Sequence, residues 1–177
     1  LIALYFRHKN DSKPMPQLPP EPELPVVTVQ IPLRNEQYVV QRVLEAIAAL
    51  NWPRNRLEIQ VLDDSDDETT SLAETECDHL RAQGYTITLL HRAYPTGYKA
   101  GALAAGLQQA HGEIIALFDA DFCPESDFLQ NTVPYLLADP ELGMVQARWS
   151  HLNAEYSPIT RAQALALDAH FAIEHIA

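Results

Sequence analysis

Residues 26–64 read VVTVQIPLRNEQYVVQRVLEAIAALNWPRNRLEIQVLDD, and this stretch decides the fold. Residues 26–31 are a short continuous apolar run. Val39, Val40, Val43, Ile47 and Leu50 then recur at helical spacing, and residues 57–62 form a second apolar run. The order is strand, helix, strand. Downstream the pattern repeats: a polar helix over 67–83, a strand over 86–90, an Ala-rich helix over 98–110, a strand over 114–118, a helix over 125–137, a strand over 142–147 and a helix over 160–177. Gly84, Gly112 and Gly143 fall where the chain must reverse, and Pro53 and Pro140 interrupt helical runs. Continuous aliphatic strands separated by helices predict an α/β protein with a mostly parallel sheet flanked by helices on both faces.

Upstream, seven of the 13 prolines lie between Pro14 and Pro32, so residues 8–25 are expected to be a Pro-rich extended linker leading into a domain over 26–177. Residues 1–6 read LIALYF and meet Arg7, His8 and Lys9, the arrangement with which a membrane helix often reaches the cytosol. Residues 1–7 are therefore expected to be the end of a transmembrane helix. The chain lacks an initiating Met and its last helical pattern stops without a cap, which suggests a piece of a longer protein. No run within it reaches the ~18 apolar residues that a spanning helix needs.

Of 177 residues, 47% are hydrophobic, enough for a real core, and 24 acids against 12 Lys and Arg leave a net charge of −12. Nucleic acid is thereby disfavoured as a partner, since affinity for it comes largely from neutralising phosphates with basic side chains. Cys77 and Cys123 have no metal-ligand spacing and make no disulfide framework.

In an open parallel sheet, ligands gather at the carboxyl ends of the strands. Pro32, Arg34, Asn35 and Glu36 follow the first apolar run, Asp63 and Asp64 the second, and Asp119 and Asp121 the fourth. In extended chain, residues i and i+2 point the same way, so Asp119 and Asp121 can face one cation. Mg²⁺ commonly takes one or two carboxylates and completes its shell with water and substrate phosphate oxygens. Five acids occupy residues 63–68; the later ones suit a helix N-terminus, whereas Asp63 and Asp64 crowd the strand end. Lys99, between Gly97 and Gly101 at a helix start, could meet an anion. No Walker A loop is present, because Leu107 and Gln108 follow Gly106, and no G-x-G-x-x-G occurs. Gly101 and Gly106 otherwise read as close helix-to-sheet packing. The seven histidines are scattered, and His170 and His175, five apart, lie on different helix faces.

Pro32-Leu33-Arg34-Asn35-Glu36, Asp63-Asp64-Ser65, the run from Gly97 to Leu103, Asp119-Ala120-Asp121 and Gln146-Ala147-Arg148-Trp149 occur in the order and approximate spacing of glycosyltransferase family 2. Within it the chain most resembles processive membrane synthases related to cellulose and mannan synthases. The resemblance implies a GT-A fold and transfer, with inversion, from a UDP- or GDP-hexose to a growing β-glycan. It implies Mg²⁺ or Mn²⁺ held by Asp119 and Asp121, and donor contacts from Pro32, Arg34, Glu36, Asp63, Asp64, Lys99 and Asp119. Gln146, Arg148 and Trp149 would stand on the acceptor side. The family's T-E-D and Q-x-x-R-W motifs belong downstream, so the catalytic base is expected beyond Ala177. The full-length protein would be membrane-bound with this domain cytosolic. Two alternatives carry the same acids: a haloacid-dehalogenase-type phosphatase, in which Cys123 stands where Thr or Val is wanted, and a non-catalytic nucleotide-sugar-binding domain.

Overall fold

The structure, a computed structural model, describes residues 14–147, 150–151 and 153–173. The chain divides into two compact units, one of Gln17–Val133 and one that includes Pro134–Ala177.

The first unit is a four-stranded parallel sheet in the order β3-β2-β1-β4, from β1 (Val27–Leu33), β2 (Leu57–Asp63), β3 (Thr86–His91) and β4 (Ile114–Leu117). The register runs from Val27 opposite Leu57 to Leu33 opposite Asp63, and from Val27 opposite Ile114 to Gln30 opposite Leu117. Between the strands lie α1 (Val40–Ala48), α2 (Thr69–Ala82) and α3 (Tyr98–Leu107); α4 (Phe128–Ala138) follows β4. Every residue of β2 is buried, and all of β1 but the half-buried Pro32, as expected of central strands covered on both faces.

The two faces differ in kind. On one, Val27, Val29, Ile31, Leu57, Ile59 and Val61 join a continuous apolar core. To that core α1 contributes Val40, Val43, Leu44 and Ile47, the stripe its spacing predicts, and α2 contributes Ala73, Cys77 and Leu80. The other face is polar. Gln30 Nε2 donates to Gln60 Oε1 at 3.0 Å, and α3 presses its small residues Ala102 and Gly106 toward this face. A Cβ at Gly106 would lie 2.7 Å from both Gln30 Nε2 and Leu62 Cδ2, so the close approach requires glycine.

Of the stretch expected as linker, residues 8–13 lie outside the described residues and residues 14–25 carry no regular element apart from a 3₁₀ turn at Glu21–Glu23, yet the folded unit begins at Gln17. Arg56 donates to the carbonyls of Pro22 and Leu24, Trp52 Nε1 donates to Pro25 O at 3.4 Å, and Leu24 is buried.

In the second unit α5 (Pro158–Ile173) forms as expected, with Ser157 and Thr160 exchanging hydrogen bonds at its start. The strand expected over 142–147 does not form. Leu142 and Met144 are exposed, and no neighbouring strand pairs with the segment among the described residues; an apolar run without a ladder partner stays irregular. Residues 1–7, expected to end a membrane helix, lie outside the described residues. No helix among the described residues is long and apolar enough to cross a membrane.

Candidate functional site

From β1 the chain steps through α1 to β2 and through α2 to β3, then crosses by α3 to β4 on the far side of β1. The strand order thus reverses at β1, a topological switch point where parallel sheets leave a crevice at their carboxyl ends. An open cleft of about 400 Å³ lies there, lined by Pro32, Leu33, Arg34, Glu36, Asp64, Tyr98, Lys99, Ala102, Asp119, Ala120 and Asp121. Three strand ends, of β1, β2 and β4, and the start of α3 feed it.

Beyond β4, Phe118 and Ala120 are buried while Asp119 and Asp121 are not, so alternation turns both carboxylates into the cleft. Lys99, from the first turn of α3, makes an ion pair with Asp119. Glu36 stands half-buried near the same group. Burial pushes its carboxyl above the ordinary value, and the charges of Asp121 and Asp119 push it further, against the Arg34 N–H and the Lys99 charge that pull it down. The loop carrying Glu36 is clipped to the loop after β2. Asn35, at φ 57°, donates from its backbone to Ser65 Oγ at 2.9 Å and from Nδ2 to Asp66 Oδ1 at 2.8 Å, and accepts from Asp66 N at 3.1 Å. Asn tolerates that left-handed backbone better than most side chains.

Asp63 and Asp64, adjacent in sequence, part company. Asp64 lines the cleft and its two oxygens accept from Arg92 Nε at 2.7 Å and Nη2 at 2.5 Å. That bidentate pair raises the already high pKa of Arg92. Asp63, expected beside it as a donor contact, is fully buried and outside the cleft lining; it accepts from Ser65 N, Thr70 Oγ1 and His91 Nδ1. Its three bonds tie the ends of β2, β3 and α2 together. The register signal was available: the last strand residue and its successor point to opposite sides.

The acids after Asp64 do serve the helix start in part, Asp67 Oδ1 accepting from Thr69 N at 2.9 Å. Of the acceptor-side candidates, Gln146 is exposed in the irregular segment of the second unit; Arg148 and Trp149 lie outside the described residues. Tyr98, not expected as a site residue, lines the cleft, and Arg92, equally unexpected, holds Asp64 there from behind the lining. Cys77 is core, its thiol pushed up to about 11 by burial. Among the described residues no group of three His, Cys, Asp or Glu side chains could cage a metal ion.

An open parallel sheet with an acidic cleft at its switch point is the architecture of GT-A nucleotide-sugar transferases. The mannosyltransferase PcManGT from Pyrobaculum calidifontis, solved with GDP-Man and Mn²⁺, superposes with a TM-score of 0.69 at 33% identity over 83% of this chain and 43% of its own. The glycosyl transferase family 2 model matches residues 28–171, and the chain belongs to that family. It is 45% identical over 154 residues to glucomannan 4-beta-mannosyltransferase 1 of Cyamopsis tetragonoloba, and 46% identical to glucomannan 4-beta-mannosyltransferase 9 of Arabidopsis thaliana. Each alignment takes in 85% of this chain but 29% of the relative, so the chain spans less than a third of their length. S. aureus TarS 1-349, at 19% identity and a TM-score of 0.53 over 71% of this chain and 38% of its own, shares the fold.

Proposed function

We propose that this chain is the donor-binding part of an inverting hexosyltransferase that takes a GDP- or UDP-hexose and extends a β-glycan. The observation that carries the reading is the convergence of Glu36, Asp64, Asp119 and Asp121 from three strand ends, and of Lys99 from the first turn of α3, into one switch-point cleft. Names borne by the relatives and by the solved structure make GDP-mannose the first donor to test.

The donor set fits Mg²⁺ or Mn²⁺. Asp119 and Asp121 offer hard oxygen ligands on one side, and with no third ligand among the described residues the remaining positions would fall to water and the donor's phosphates. A cation bound there supplies positive charge against the diphosphate that departs. Lys99 adds an ammonium at the same end, held ready by its ion pair with Asp119. Asp64, immobilised by Arg92, is suited to accept hydrogen bonds from the nucleoside, and Glu36, Pro32 and Arg34 line the same cleft. Asp63 acts on this site only through the fold. The base that takes the acceptor proton, the acceptor contacts around Gln146, Arg148 and Trp149, and the membrane anchor that would place this domain in the cytosol belong to the same proposal. The base and the anchor are assigned to sequence outside the described residues.

Titration calorimetry of the intact protein with GDP-mannose and UDP-glucose, in Mn²⁺ and then in EDTA, tests it. One donor should bind in the micromolar range and lose at least tenfold affinity in EDTA. Binding of neither, or equal binding with and without the metal, would sink the metal-bridged donor reading.

A further inference from the structure

We propose that Arg92 is a positioning residue that couples the two ends of the donor cleft, fixing Asp64 at the nucleoside end and the turn that delivers Tyr98 and Lys99 at the diphosphate end. The inference rests on the donor reading above and adds a residue and a device to it. Arg92 follows β3, and its side chain is 18% exposed. Besides its two bonds to Asp64, Nη2 donates to Tyr98 O at 3.1 Å and Nη1 to Thr96 O at 3.2 Å. One guanidinium therefore bridges a carboxylate and both shoulders of the turn.

That turn needs an external hold. Gly97 has φ 76° and Tyr98 φ 51°, two successive left-handed residues, and a bulky side chain there is a genuine outlier. Gly97, which caps the start of α3, has no side chain with which to satisfy the first-turn N–H groups. Gly101 N accepts the burden from within, donating to Gly97 O at 2.9 Å, while a Cβ on Gly101 would collide with Thr96 O and lie 2.9 Å from Arg92 Nη1. The backbone, the guanidinium and the glycine are thus fitted to one another. Tyr98, 78% exposed, lines the cleft beside Lys99, so the strained turn sets where both side chains stand. Lysine keeps the charge but lacks the planar fork that spans these acceptors.

The device predicts coupling. On the intact protein, Arg92→Lys should speed amide hydrogen exchange in residues 96–101 at least tenfold and leave β1 and β2 unchanged. Asp64→Asn and Lys99→Ala should together change affinity for the bound nucleoside diphosphate, GDP or UDP, by at least fivefold more or less than the product of their separate effects. In the Arg92→Lys background that discrepancy should vanish. A merely structural arginine would lower the melting temperature without abolishing the coupling. Unchanged exchange in 96–101, independent effects in the native background, or coupling that survives Arg92→Lys would overturn the proposal alone. Failure of the unsubstituted protein to bind either GDP or UDP would overturn the donor reading and the proposal with it.

Discussion

At the amino ends of β1 and β2, Glu58 sits nearly buried and fully answered. Thr28 Oγ1 donates to its Oε2 at 2.5 Å and His111 N at 2.8 Å, and His111 Nδ1 lies 2.8 Å from Oε1; Gly112 N closes the group by donating to Thr28 Oγ1. At the carboxyl ends of the same sheet, Glu36, Asp119 and Asp121 stand near one another, with Lys99 paired to Asp119. One carboxylate has its partners built in. The others crowd like charge around an open cleft, which costs stability and makes sense when a cation or a ligand supplies the missing partners. The contrast sets Glu58 apart as a structural clip and agrees with the binding role proposed for the second cluster.

The strongest break in this comparison comes from the clip. Burial alone would raise the Glu58 carboxyl, but the His111 and Thr28 hydrogen bonds outweigh it and hold the group below its ordinary value of 4.5. A lowered folded pKa contributes stability that is complete above the unfolded value and is lost as pH falls through the folded one. Glu58→Ala should therefore cost about 3 kcal/mol at neutral pH by leaving donors without an acceptor. Denaturant unfolding at pH 7 and again below pH 4 measures it, and the difference between variant and parent should shrink in acid. Affinity of the folded variant for a nucleoside diphosphate should not change. A loss of affinity with normal stability would move Glu58 out of the structural role.

The next effect is on binding. Asp121→Asn should weaken Mn²⁺-dependent binding of a nucleoside diphosphate at least tenfold, about 1.4 kcal/mol. Its melting temperature should hold or rise, because a like charge has been removed from the cleft. Unchanged affinity would take Asp121 out of the metal site.

How far the sequence carries this comparison varies by residue. β1, β2 and α1 are legible because continuous aliphatic runs and a helical stripe report burial directly, and the acids of the cleft are legible because they follow strand ends. The segment 142–147 shows the limit: an apolar run records hydrophobic content and says nothing about a strand to pair with. The helix expected over 125–137 does form, as α4, and carries Pro134 within it. Arg92 sits in an Arg-Ala-Tyr-Pro-Thr loop without any spacing signature. Its role emerges only when Asp64, Thr96 and Tyr98, up to 34 positions apart (98 − 64), meet in space. Asp63 and Asp64 look alike as letters, yet the parity of the strand sends one into the fold and the other to the cleft.

The smallest effect is also the sharpest discriminator between the two ends. Glu36 has its carboxyl raised first by burial and then by Asp121 and Asp119, the reverse of the net shift at Glu58. A raised folded pKa means that the associated stability is complete below the unfolded value near 4.5 and is lost as pH climbs through the folded one, so ionised Glu36 is a burden at neutral pH. Glu36→Gln keeps an oxygen that can accept from Arg34 N, now 3.3 Å from Glu36 Oε2, and removes the charge. The variant should be more stable than its parent by roughly 0.5–1 kcal/mol at pH 7, the scale of a partly screened charge contact, and the advantage should fade below pH 4.5. Affinity for a nucleoside diphosphate should fall severalfold at the same time, because a group kept at a cost to the fold is expected to serve the ligand. Urea unfolding across pH 4 to 8, with calorimetry on the same samples, reads both quantities. A variant less stable than its parent at pH 7 would place Glu36 with Glu58 among the structural clips and would leave the cleft's binding role to Asp64, Lys99, Asp119 and Asp121.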